Sequence, residues 1–118
     1  MKYIMLMYSN PSAGPQTEEE GEASAPKWYG LLQEGKKAGA LVDNQGVMPE
    51  SDATTVRIRD GKSVITDGPF AETHEQFGGY FVFECENLDE AIAWAEKIPT
   101  VEYGSIEIRP LYSHEDYQ

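Results

Sequence analysis

The sequence predicts an α+β fold: a mostly antiparallel sheet with two helices on one face. Three observations carry this. Apolar, β-branched runs and segments of helical spacing follow one another as strand, helix, strand, hairpin, strand, helix, strand. Asp60-Gly61 separates two short strand-like runs, a strong hairpin signal. The chain has 118 residues, which fits a single domain spanning 1–118.

Met1 to Tyr8 is nearly all apolar and aromatic and is bounded by Ser9-Asn10-Pro11, which predicts a central strand covered on both faces. Residues 9–26 are dominated by Pro, Gly, Ser and Glu and read as an acidic surface loop, with at most a helical turn at Thr17–Glu20. A helix is predicted from about Ala25 to Ala38. Ser24 can cap it, Pro26 suits its first turn, and Trp28, Leu31, Leu32 and Gly35 form its buried stripe. Gly39 is a natural residue to end it. Ala40 to Met48 follows as a strand and Pro49–Asp52 as a loop. Thr54 to Arg59 alternates, with Val56 and Ile58 on one face and Thr55, Arg57 and Arg59 on the other. Lys62 to Thr66 is its hairpin partner, and Tyr80 to Cys85 is the next strand.

Asn87-Leu88-Asp89-Glu90 has the form of a capping box, with Leu88, Ala91, Ile92 and Ala95 on one helical face and Pro99 as the stop. Ser105 to Pro110 is the last strand, and Tyr112–Gln118 reads as a loose polar tail. The simplest arrangement is a ferredoxin-like β-α-β-β-α-β core with an added hairpin. It leaves one sheet face open, for which a second copy of the chain is the usual cover.

Nine Lys and Arg stand against 21 Asp and Glu, a net charge of −12. Cations are too scarce for nucleic-acid phosphates or an anionic membrane surface, so neither is an expected partner. No apolar run approaches the ~20 residues of a membrane-spanning helix. Cys85 is the only cysteine, which excludes an internal disulfide and a multi-cysteine zinc site. A soluble cytoplasmic protein is expected.

The distinctive stretch is Thr66-Asp67-Gly68-Pro69-Phe70-Ala71-Glu72-Thr73-His74, continuing through Gly78-Gly79-Tyr80. Together with Thr55–Lys62, Leu88-Asp89-Glu90-Ala91 and Ile106–Pro110, it closely resembles the DGPF branch of the YCII-related proteins. The resemblance covers nearly the whole chain. It implies a dimeric α+β barrel of ferredoxin-like subunits, similar to small cofactor-independent enzymes of the same superfamily, and no settled activity. In one related branch, a His early in the first helix pairs with an Asp beyond it. Here the predicted first helix has no His, and Trp28 stands near that place.

Asp67 is a candidate general base at a strand end, or a turn residue that accepts backbone N–H bonds. His74 is the candidate proton-transfer partner, because His titrates near neutrality. Gly68 and Pro69 set backbone conformation. Phe70 is a candidate pocket wall or dimer contact. Glu72, Arg57 and Tyr80 complete the candidate ligand-binding set, Arg57 as a carboxylate or phosphate holder or as an ordinary surface cation. The spacing of Asp67, Glu72 and His74 does not demand a metal. No cofactor is expected. The leading reading is therefore a homodimer that binds or acts on a small organic molecule by acid/base chemistry. The rival is a non-catalytic interaction module whose acidic 9–26 segment meets a basic protein.

Overall fold

The computed structural model describes residues 1–113; His114 and the rest of the predicted tail lie outside them. Strand β1 (Lys2–Ser9) leads into helix α1 (Glu18–Lys37) and strand β2 (Leu41–Gly46). The hairpin β3 (Thr54–Arg59) and β4 (Lys62–Asp67) follows, then β5 (Gln76–Glu84), α2 (Leu88–Ala95) and β6 (Ser105–Pro110). Short 3-10 turns cover Glu50–Asp52 and Pro99–Glu102. The main sheet has the order β2-β5-β1-β6, antiparallel throughout, while β3 and β4 form a separate two-stranded ribbon. With the ribbon set aside, the connectivity is β-α-β-β-α-β, the ferredoxin-like type.

Alternation along β1 places Tyr3, Met5 and Met7 on one face, all buried. Both helices cover that face. Trp28 of α1 stacks on Phe81, and Trp94 of α2 stacks on Phe83, next to Phe81 on the same strand. Leu31, Ala91, Ala95 and Ile98 close the core. Lys97 just after α2 joins Glu34 of α1 in an ion pair. On the opposite face, Ile4, Leu6 and Tyr8 are only half-buried, and no helix of the described residues lies over them. The central position expected for β1 is found, but only one of its faces is covered by helix.

Helix α1 begins at Glu18 and not at Ala25, so the predicted acidic loop over 9–26 is a loop only as far as Thr17. The Thr17 hydroxyl oxygen accepts from the Glu20 amide at 3.0 Å, and the Glu20 carboxylate reaches back to the Gln16 amide. Thr17-Glu18-Glu19-Glu20 is thus an N-terminal cap whose carboxylates sit where the helix dipole favours anions. Pro26 falls inside the helix, not in its first turn. It leaves the Glu22 carbonyl without its intrahelical donor, which is tolerable where residue 22 is exposed to water. Leu31 and Gly35 are buried as predicted, with Trp28 and Leu32 half-buried.

The Asn87 cap is present, its side chain accepting from the Glu90 amide at 2.9 Å. Only two of the four predicted apolar positions of α2 are buried, Ala91 and Ala95; Leu88 and Ile92 face solvent. The helix ends at Ala95, before the predicted stop at Pro99, which instead opens a 3-10 turn. At Met7/Tyr8 the register with β5 shifts by one residue, from Met7 opposite Gly79 to Tyr8 opposite Phe77. Gly78 is the extra residue, the bulge that paired glycines suggest.

Cys85 is fully buried, and burial, reinforced by the Glu90 charge, pushes its thiol above the ordinary range. The native state therefore favours the neutral thiol. Its contribution to stability is complete below the unfolded value of roughly 8.5 and is lost as pH rises past it toward the folded value. The melting temperature should fall more steeply above about pH 8.5 in the wild type than in Cys85→Ser, measured by thermal denaturation across pH 7–10.

Candidate functional site

The segment after β4 is fixed by its backbone. Gly68 has φ +107°, a conformation open to glycine. Its amide donates to the Ala53 carbonyl at 2.7 Å, and its carbonyl accepts from the Thr55 hydroxyl at 2.8 Å. Pro69 continues the turn, and the Arg57 guanidinium donates to the Phe70 carbonyl at 3.2 Å. Four candidates thus converge on one turn: Arg57, Gly68, Pro69 and Phe70. Arg57 acts here on a backbone oxygen, a use that only the fold reveals.

This turn walls the main cleft, about 700 Å³ in volume. One wall is Val47, Met48 and Pro49 with the 3-10 turn behind them; the other is Pro69, Phe70 and Ala71. Tyr8 and Phe77, packed edge to face, form the sheet side. Glu50, Asp52, Glu75, Thr55 and Thr73 supply polar groups. Glu75 is partly engaged, accepting from the Ser105 hydroxyl at 3.3 Å. The cleft is mostly apolar with a few polar groups, the usual composition of a small-molecule site.

Asp67 stands at the end of β4, exposed, opposite Thr54. Its carboxylate makes no hydrogen bond or ion pair among the described residues, so it does not pin the turn; the Gly68 amide is satisfied by Ala53 instead. Asp67 does not line the main cleft. His74 lies on the far side of the loop, with Nε2 3.4 Å from Nδ2 of Asn10. Asp67 and His74 are not in contact. Glu72 lines a smaller neighbouring hollow of about 390 Å³ with Gly68 and Pro69. Among the described residues, no group of three or more His, Cys, Asp or Glu is placed to hold a metal ion.

Tyr80 belongs elsewhere. Its hydroxyl donates to Asp43 Oδ2 at 2.8 Å, and this hydrogen bond raises the phenol above its ordinary range. It borders a second cavity of about 350 Å³ between α1 and the sheet, where Trp28, Asn44 and Tyr103 also lie.

The chain matches the YCII-related domain over residues 1–115. It belongs to the YCII-related family. A relative within reach of that assignment is an uncharacterised protein of Rhizobium meliloti (strain 1021), 33% identical over 114 residues, covering 94% of this chain and 92% of the relative. Among solved structures, this YCII-related chain resembles 5-chloro-2-hydroxyhydroquinone dehydrochlorinase from Burkholderia phenoliruptrix, in complex with 2,5-dihydroxybenzoquinone. The TM-score is 0.53 with 8% identity, over 98% of both chains. The likeness establishes a shared α+β fold.

The cleft residues that sequence reasoning missed are Val47, Met48, Glu50, Asp52 and Phe77. One signal was present: Val47 and Met48 are large apolar residues directly before Pro49; the strand expected over Ala40–Met48 spans only Leu41–Gly46 and leaves them in the loop. As a YCII-related protein, the chain has no helix among its described residues long and apolar enough to cross a membrane.

Proposed function

We propose that the chain works as a homodimer that binds a small planar organic molecule in the main cleft and acts on it by proton transfer, without a resident cofactor. Phe70 carries the reading. At 76%, it is the most exposed of the large apolar residues described, yet its backbone is fixed by Arg57 on the wall of an apolar cleft. An aromatic ring held out in this way suits stacking against another ring. The dehydrochlorinase of similar fold takes a hydroxylated quinone, and a ring of that class fits an apolar wall with carboxylates and hydroxyls at its rim. Asp67 is the base in this reading: a free carboxylate just outside the cleft lining, opposite Thr54 and two residues before Pro69, both of which line it; His74, which neither lines the cleft nor touches Asp67, is not its partner acid. Within the family, the motif Asp67-Gly68-Pro69-Phe70 supports a place in the DGPF branch. The dimer is an α+β barrel in which two open sheet faces meet over Ile4 and Leu6.

Calorimetric titration with hydroxylated aromatics and quinones, starting with 2,5-dihydroxybenzoquinone, tests this. Phe70→Ala should weaken binding at least tenfold without changing the melting temperature, since the ring is exposed. Asp67→Asn should abolish turnover of a bound substrate while leaving its affinity within about threefold. Equal binding by wild type and Phe70→Ala removes the cleft from the reading, and full turnover by Asp67→Asn removes the base. The acidic run at Glu18–Glu20 opens helix α1, while the net charge of −12 that favours the interaction-module alternative stands.

A further inference from the structure

The β3–β4 ribbon is the least satisfied part of the molecule. Cross-strand register puts Val56 opposite Ile65 and Ile58 opposite Ser63, so Val56, Ile58 and Ile65 share one face. All three are exposed, at 63%, 68% and 67%. Beyond the root contacts of Thr55, Arg57 and Gly68, residues 58–66 make no hydrogen bond or ion pair outside the ribbon among the described residues. A two-stranded hairpin alone is marginal in water, and an exposed apolar face makes it more so. The chain as a whole is too extended for its size. Its radius of gyration is 16.6 Å, against roughly 13.5 Å for a compact domain of this length. Its accessible surface is 8484 Å², against roughly 6,400 Å² for a compact monomer of this mass. The difference exceeds the ~800 Å² that each partner buries in a standard interface.

Charge points to the cover. The ribbon carries Arg57, Arg59 and Lys62 against Asp60 and Asp67, so it is net positive on a chain of net charge −12. The sheet face without helices carries apolar Ile4, Leu6 and Val82, flanked on the same face by Asp43, Glu84 and Glu107 against Lys2 and Arg109. An apolar strip with a mixed, slightly acidic border is therefore available on every other copy of the chain.

We propose that the β3–β4 ribbon is a clasp that lies across the rim of the opposing sheet in a second copy of the same chain. Two-fold symmetry then covers both ribbons and both open faces at once. This rests on the homodimer reading and adds to it which segment holds the dimer. It also brings Asp67, which shares the ribbon face of Val56 and Ile65, into the interface.

The test is photo-crosslinking of the full chain with p-benzoylphenylalanine at position 58, in a mixture of unlabelled and nitrogen-15-labelled protein, after light scattering of the wild type. The clasp predicts a dimer whose crosslinks join position 58 to residues 2–9, 76–84 or 105–110 of the other copy. It also predicts that Val56→Lys with Ile65→Lys weakens the dimer at least tenfold while the circular dichroism spectrum is unchanged. A monomeric wild type overturns the homodimer reading and the clasp together. A dimer whose crosslinks stay within one chain, or join ribbon to ribbon, overturns the clasp alone. So does a dimer undisturbed by the paired lysines.

Discussion

Phe83→Ala is expected to cost about 3–5 kcal/mol of folding stability, the range for truncating a fully buried aromatic. Phe83 has no solvent exposure and lies between two rings, with centroids 5.8 Å from Phe81 and 4.8 Å from Trp94. Its strand is second in the order β2-β5-β1-β6, so the void would open beneath both helices and beside Tyr3, its partner on β1. Neighbouring rings are too rigid to fill it. A domain with roughly 5–15 kcal/mol of total stability would lose a large share. Urea denaturation should show the midpoint falling with the slope unchanged; a loss below about 1 kcal/mol would mean that the aromatic stack is not the centre of the core.

The second large effect is expected at Gly79. Its φ is +148°, a backbone conformation that side chains rarely adopt. A Cβ there would stand 2.3 Å from the Gln45 carbonyl oxygen and 2.9 Å from the Gly46 Cα. Both obstacles are backbone atoms of β2, so neither can rotate away. Either the β2–β5 pairing opens or the bulge at Gly78 is lost. Backbone strain of about 1–3 kcal/mol and overpacking of a similar size together put Gly79→Ala near 3–5 kcal/mol. Gly61→Ala is the useful comparison, because it also has positive φ but nothing within 4 Å of its Cβ. If both substitutions cost the same, backbone conformation alone explains the loss and the close approach to β2 contributes nothing.

Local signals in the sequence were read well where one element decides its own form. The cap at Asn87, the turn at Asp60-Gly61 and the alternation of β6 all depend on neighbours within a few residues. The start of α1 was misplaced for a related reason. Thr17 and Glu20 form a capping pair, but they sit within a run of Pro, Gly and Glu whose composition argues for a loop, and Pro26 resembles a first-turn residue. Leu88 and Ile92 lie at positions that helical spacing marks as buried, yet α2 is short and only its alanines reach the sheet. The turn residues Gly68, Pro69 and Phe70 were recognised from their motif. What they do was not, because the donors and acceptors that fix them, Ala53, Thr55 and Arg57, come from the far side of the ribbon. The cleft is assembled from two loops about twenty residues apart, and periodicity carries no information at that distance.

Pairing of β1 with both β5 and β6 has a consequence for how the protein is made. Of these three strands, residues 2–9 leave the ribosome before their hydrogen-bonding partners, residues 76–84 and 105–110. At synthesis rates of about 5–20 residues per second, Met5 and Met7 wait roughly 5–20 s before the last partner exists. Until residues 76–84 emerge this apolar strand has no partner, and until residues 105–110 follow it has only one. Contacts so distant in sequence also slow refolding of the finished chain. Moving the first strand to the C-terminal end by circular permutation would let β5 meet it as soon as it emerges, and would shorten the period in which the nascent chain needs a chaperone.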